Sequence, residues 1–198
     1  MKKKKITFDI IAIGDTTLDT FLILDETQTR SYVRKKQRML CLNYADKIYI
    51  KHTAQSVGGN AANVAVGMTR LQAVCGLVTE LGDDINGHIV KDELCKAGVR
   101  VDFIKTIPNK ETRYAIILNY ASERTILSCF AKRSYTLPTL PKTRWIYYTS
   151  LGASFEKLQK KLMRHLASNN VQLAVNPGSY HLQNGLETFS AILTQTDI

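Results

Sequence analysis

The sequence predicts an α/β protein: a largely parallel sheet flanked by helices, with a smaller sheet attached. Three observations carry this. After residue 57, short β-branched runs alternate with segments of helical periodicity, the order that parallel crossovers require. The stretches 25–52 and 103–129 instead run strand after strand with few helices, as a small separate sheet does. The chain has 198 residues with 44% apolar side chains, enough to bury about 70% of the unfolded surface without a disulfide or metal staple.

Ile6–Ile13 (ITFDIIAI) is a β-branched run closed by Gly14 and reads as a buried strand. Phe21–Leu24 is a second candidate strand. Asp25 to Asp46 turns polar and basic, and Lys47–His52 alternates as a half-solvated strand does. Gly58-Gly59-Asn60 ends that pattern and opens a helix, on which Ala61, Val64, Ala65, Met68 and Leu71 form one apolar stripe. Val74–Val78 is the next buried strand, and Gly82-Asp83-Asp84 a turn. Ile85–Ala97 predicts an amphipathic helix with Ile89, Val90 and Leu94 inward and Gly98 as its stop. Val101–Lys105 is a short strand. Tyr114–Asn119 and Thr125–Cys129 are strands around Ser122-Glu123, and Arg144–Thr149 (RWIYYT) is a buried run. Ser154 is placed to cap a helix reaching about Leu166. Val171–Val175 predicts a strand ended by Asn176-Pro177-Gly178, and Leu186–Leu193 a last helix. Thr194–Ile198 begins like the strand that this crossover helix would feed, so the fold reads as incomplete at its C-terminal side. The alternative is an end that frays at the surface.

Lys and Arg number 27 against 17 Asp and Glu, a formal charge of +10. The excess lies in Lys2 to Lys5, in Arg30 to Arg38 and in Lys105 to Arg144. A basic surface favours anionic partners, but these stretches lack interleaved aromatics and the spacings of known readers, so no nucleic-acid partner is expected. Lys2 to Lys5 reads as a solvated tail. No stretch approaches the roughly 20 apolar residues of a membrane span, and Asp9 interrupts any secretory signal; no membrane partner is expected. Cys41, Cys75, Cys95 and Cys129 form no Cys-x-x-Cys pair and have no His at zinc spacing. Reduced thiols and a cytoplasmic location are expected.

The chemistry concentrates in Gly58-Gly59-Asn60-Ala61-Ala62-Asn63. Adjacent glycines let a ligand approach the main chain, and the helix start beyond them offers unpaired N–H groups and a positive dipole end. Asn63 would project from the first turn. Such a site takes a polyhydroxylated or anionic ligand; the structural alternative is a tight strand-to-helix turn. Asp15 and Asp19 follow the first strand, where a carboxylate faces the crevice in which α/β proteins bind ligands. Asp19 could accept from two vicinal hydroxyls, or either residue could be a loop carboxylate or helix cap.

These residues resemble the N-terminal portion of a ribokinase-like (PfkB) carbohydrate kinase. The pieces, in order, are IAIGDTTLDT at 11–20, GGNAANVAVGMTRLQ at 58–72, VTELGDDINGHIVKDELCKAGV at 78–99, and VNPGS at 175–179 with TDI at 196–198. The resemblance implies an α/β/α sandwich over residues 1–198 with a small β-sheet lid, the lid segments being about 25–52 and 103–129. It implies that Asp19 binds substrate hydroxyls and that Gly58, Gly59 and Asn63 line the same pocket. Thr17 and Thr112 are weaker candidates by position, and Arg113, Tyr114 and Tyr120 are lid contacts on position alone. ATP and Mg²⁺ are the implied cofactors, a sugar or related polyol the implied partner, and pairing of two copies through the lid an expectation. The Gly-Ala-Gly-Asp turn that supplies the family's anion hole and catalytic base does not occur, and the Asn-x-x-Glu motif belongs just after Thr196-Asp197-Ile198. No Glu stands near Thr149-Ser150, where some members bind their sugar, and Thr17 replaces a frequent Asn; both departures bear on ribose itself. The expected function is therefore phosphoryl transfer from ATP to a sugar hydroxyl, with this chain holding the sugar side and inactive by itself. A nucleoside or keto-sugar-acid kinase of the same family and a non-enzymatic binding module are the alternatives.

Overall fold

The first strand, Phe8–Ile13 (β1), is an apolar run whose side chains alternate between two buried faces. The computed structural model describes residues 7–198 other than Gln28, Lys35, Phe130 and Asn184, and of Leu186 and Thr188 only the backbone. The Lys2 to Lys5 tail and Ile6 thus lie outside the described residues. The chain continues through Thr17–Leu24 (β2), a hairpin of Arg30–Arg34 (β3) and Gln37–Cys41 (β4), and Ile50–Gly58 (β5). Asn60–Arg70 (α1), Cys75–Gly82 (β6) and Ile85–Lys96 (α2) follow, then Ile104–Ile107 (β7), Arg113–Tyr120 (β8), Glu123–Cys129 (β9) and Thr143–Thr149 (β10). Glu156–Ser168 (α3), Gln172–Asn176 (β11), Ser179–Gln183 (α4) and Leu186–Leu193 (α5) complete it.

The main sheet has the order β11-β10-β1-β6-β7 with parallel neighbours throughout. On one face Ile11 and Ile13 of β1 and Ile146 and Tyr148 of β10 meet Leu158, Leu162 and Leu166, the i, i+4, i+8 stripe of α3, together with Phe189 and Ile192 of α5. On the other face Ile10 and Ala12 meet Ala61, Ala62 and Ala65 of α1 and Val90 and Leu94 of α2. The three buried alanines let α1 approach the sheet closely. This is an α/β/α sandwich. Asp197 N–H donates to the Leu173 carbonyl at 2.8 Å and Val175 N–H to that of Ile198 at 2.8 Å, so the last two residues lie alongside β11.

A second sheet, β5-β2-β8-β9, stands against the first. Its β2–β5 and β8–β9 pairs are antiparallel and its β2–β8 pair is parallel. Its extent differs from the segments 25–52 and 103–129: it takes in Thr17–Leu24, and Ile104–Ile107 joins the main sheet instead. The apolar content of β2 and the β-branched content of β7 do not say which sheet each will join; pairing partners far along the chain do.

Other local readings shift for identifiable reasons. Ile89 is 37% exposed and Leu71 77%; each lies at the edge of its helix's apolar stripe, and Leu71 is the C-cap of α1. Ser154 does not cap α3. It has φ 69°, and the helix starts at Glu156 after Phe155, with no side-chain cap. Of Lys47–His52 only Ile50–His52 is strand; pairing with β2 carries it on to Gly58. By contrast Asp84 caps α2, accepting from Gly87 N–H at 2.8 Å, and Gly98 at φ 82° ends it with its N–H on Cys95 and the Val99 N–H on Leu94.

Candidate functional site

Asp19 occupies the third position of β2. Register pairs it with Ser56 and Ala115, and pairs Thr17 with Gly58 and Arg113. Side chains alternate along a strand, so Thr17, Asp19, Gly58 and Arg113 share one face of the second sheet. The Thr17 hydroxyl donates to Asp19 Oδ1 at 2.5 Å. A Cβ on Gly58 would run into the Asp19 carboxyl, so the absence of a side chain makes the space in which that carboxyl lies. Gly59 has φ 93°, and a side chain there would strike the Asp15 carbonyl. The glycine pair thus lets β5 turn into α1 hard against the end of β1.

A cleft of about 430 Å³ opens there, with Asp15, Thr17, Gly59, Arg113, Lys132 and Gly152 among its walls. It lies beyond the C-terminal ends of β1 and β10, the crevice in which α/β sheets hold ligands. Asp15 is 7% exposed and Arg113 5%, and Arg113 Nη2 lies 3.1 Å from Asp15 Oδ2. The Tyr135 hydroxyl donates to Asp15 at 2.8 Å and accepts from Arg113 Nη2 at 2.7 Å and from Gly152 N–H at 2.9 Å. Burial pushes the Asp15 carboxyl up to about 6, against the opposing pull of Arg113, the Tyr135 hydroxyl, Gly152 and Arg133. A Cβ on Gly152 would strike the Arg113 guanidinium, so this glycine admits the ion pair.

Not all of the expected site residues meet here. Asn63 is exposed on α1 and borders a different cleft, of about 640 Å³, with Leu18, Val57, Ile89 and Glu93. Leu18 and Val57 alternate with Asp19 and Gly58, so that cleft lies behind the face carrying Asp19. Tyr114 pairs with Leu18, shares that reverse face, and donates its hydroxyl to Thr20 at 2.8 Å. Thr112 is buried in the junction with α2: its hydroxyl donates to Asp84 Oδ1 at 2.5 Å and accepts from Gly82 N–H at 3.0 Å. Tyr120 borders a third cleft with Arg38 and Leu40 of the hairpin.

Sequence reasoning passed over Asn60, Tyr135 and Lys132. Asn60 was legible as the other amide of Gly-Gly-Asn-Ala-Ala-Asn; its Nδ2 lies 3.2 Å from Ser150 Oγ at the cleft. Tyr135 reaches Asp15 across 120 positions, and no local signal marks it. Among the described residues no three His, Cys, Asp or Glu converge in a group that could hold a metal ion. Among them, no helix is long and apolar enough to cross a membrane, and the four cysteines are free thiols.

The profile of the pfkB family carbohydrate kinases matches residues 21–178. An ATP-dependent ribose-1-phosphate kinase of Halopiger xanaduensis is 35% identical over 69 residues, 35% of this chain and 23% of its own. An aminoimidazole riboside kinase of Salmonella typhimurium is 28% identical over 110 residues, 48% of this chain and 32% of its own. The match thus spans a third or less of the length of these curated relatives. The ribokinase of Giardia lamblia superimposes with a TM-score of 0.74 at 18% identity, covering 96% of this chain and 56% of that one. The nucleoside kinase of Methanocaldococcus jannaschii does so at 0.73 and 19%, covering 95% and 58%. These likenesses show a shared fold. The profile, which runs from β2 through the glycine pair to the end of β11, shows the lineage: the chain belongs to the pfkB family of carbohydrate kinases.

Proposed function

We propose that this chain supplies the acceptor side of an enzyme that transfers a phosphoryl group from ATP to a hydroxyl of a sugar or nucleoside. One observation carries the reading. The Asp19 carboxyl lies over Gly58 and is bonded to Thr17, which itself lines the cleft at the strand ends. A carboxylate with free lone pairs, beside backbone bared by glycine, suits vicinal hydroxyls. The second sheet stands over the cleft as a lid, which would exclude water from the transfer. The relatives named for a ribose phosphate and a riboside support a ribosyl-type acceptor.

ATP with Mg²⁺ brings the transferred group; the residues of this chain bind and orient the acceptor. No Gly-Ala-Gly-Asp turn supplies a base among the 198 residues, so binding without turnover is the activity proposed for them. Calorimetric titration with ribose, fructose and adenosine tests the first part. At least one should bind, and Asp19→Ala should weaken it by about tenfold or more, the loss of two charge-assisted hydrogen bonds. Unchanged affinity in that variant refutes the site. ADP release from ATP and the bound acceptor, above background, refutes the absence of turnover. All seven residues of β9 are exposed at the sheet edge, which supports pairing of two copies there; sedimentation of the chain across concentrations tests it.

A further inference from the structure

We infer that Tyr135 is a positioning residue of the acceptor cleft: its hydroxyl, buried behind the wall, registers the second sheet on the first and so sets where Thr17 and Asp19 stand. The inference rests on the acceptor reading above and adds to it a residue that touches no acceptor. Residues 131–142, between β9 of the second sheet and β10 of the main sheet, hold no helix or strand. Yet Tyr135, Leu137 and Leu140 of this segment are buried in the core on the α3 side. The tyrosine ring is therefore anchored by packing, and only its hydroxyl reaches toward the cleft. A hydroxyl has one proton to give and two lone pairs, and Tyr135 uses all three. The proton goes to Asp15 at 2.8 Å, and the lone pairs take Arg113 Nη2 at 2.7 Å and the Gly152 N–H at 2.9 Å.

The three partners come from three segments. Asp15 follows β1, and its N–H donates to the Ser150 carbonyl at 2.8 Å; Gly152 follows β10. Both belong to the main sheet. Arg113 opens β8 of the second sheet and is paired in register with Thr17, whose hydroxyl binds Asp19. A path of direct contacts thus runs from Tyr135 through Arg113 and Thr17 to the acceptor carboxylate. Asp15, Arg113 and Gly152 all line the cleft, whereas Tyr135 is 2% exposed and stands behind them. The Asp15–Arg113 pair alone, at 3.1 Å, would let the guanidinium slide along the carboxylate; the third contact, from a ring held by the core, takes that freedom away. Around the Asp15 carboxyl stand Arg113 of β8, Tyr135 and, farther off, Arg133 of the linking segment, and the Tyr148 phenol of β10, with Lys132 on the cleft wall and Asp19 bonded to Thr17. Burial outweighs the groups that favour its charge and pushes it up to about 6. The Tyr135 donor is one of those groups, so its removal raises Asp15 further. Ionised, Asp15 holds Arg113 in place; protonated, it gives up the charge that does so.

The test is calorimetric titration of the full chain and of Tyr135→Phe, which keeps the packed ring, with ribose, fructose and adenosine between pH 5.5 and 8, each beside a thermal melt. For an acceptor that binds the parent, the variant should lose about fivefold or more in affinity at pH 7.5. The pH at which affinity falls by half should also move up by about half a pH unit or more, because Asp15 then takes its proton earlier on acidification. Loss of packing alone would not move that midpoint. Either readout equal to the parent's overturns the inference, and so does a variant without a cooperative melt, since the hydroxyl would then serve folding. Asp19→Ala in the same titrations separates the two readings: weakened binding there keeps the acceptor site standing whatever Tyr135→Phe does. If no acceptor binds the parent, the acceptor reading falls and takes this one with it.

Discussion

Gly58 and Asp19 pack as one unit although 39 positions separate them. The antiparallel pairing of β2 and β5 sets a carboxylate one step along from a residue without a side chain. Gly58→Ala needs no unusual backbone angle, since Gly58 is not among the positive-φ residues, yet its methyl would displace the Asp19 carboxyl. Acceptor affinity should therefore fall by about tenfold or more while the melting temperature moves by a few degrees at most; calorimetry and a thermal melt on the same sample read both. At this scale strand parity decides which candidates can cooperate. Arg113 and Tyr114 are neighbours in sequence, but one faces the cleft and the other Thr20 on the reverse.

At the scale of elements the decisive feature is the junction of β6, α2 and β8. Asp84 caps α2 and also accepts from the Thr112 amide at 2.9 Å and hydroxyl at 2.5 Å. Burial works against its charge, but these donors and the Gly87 amide hold its carboxyl below the usual range. Gly82 and Gly87 leave no room for side chains in the same junction. Thr112 immediately precedes Arg113, so this knot fixes where β8 begins and brings the guanidinium to Asp15. Thr112→Ala, which leaves the buried Gly82 N–H without its acceptor and takes one of several donors from Asp84, should cost about 1–3 kcal/mol in urea unfolding. Thr112→Ser, which keeps the hydroxyl and loses a methyl, should cost about 1 kcal/mol or less. Equal losses in the two variants would show that packing, and not the hydrogen bonds, holds the junction.

For the whole molecule, stability should depend on pH through His181. Its ring is 1% exposed, 4.5 Å from that of Phe155 and 4.7 Å from that of Phe189. Nδ1 accepts from Gly178 N–H at 3.3 Å, and Nε2 is buried without a partner. Burial lowers its pKa from 6.5 to about 4, so the unfolded chain takes the proton first. Its contribution is constant above about pH 6.5, falls as pH drops from there to 4, and levels off below. Asp15 acts in the opposite sense. With its folded pKa near 6 against 3.8, it favours the fold increasingly as pH drops through the same interval. His181→Phe, which keeps the ring stack, should remove most of the acid-induced fall in melting temperature between pH 7 and 4.5. A variant as acid-sensitive as the parent would place the effect elsewhere.

How much of this was readable before folding follows from what each feature depends on. Periodicity and punctuation are local, so the buried run within Ile6–Ile13, the apolar faces of α1 and α2 in outline and the stop of α2 at Gly98 could be read along the chain, as could the Gly58-Gly59 turn and the nearby carboxylates that led to the family. Which sheet β2 and β7 join, which face Asn63 and Tyr114 present, and the meeting of Asp15 with Arg113 and Tyr135 depend on contacts between residues dozens of positions apart. Those contacts arise when helices and strands pack to bury apolar surface, and the buried charge balance around Asp15 exists only once they have done so.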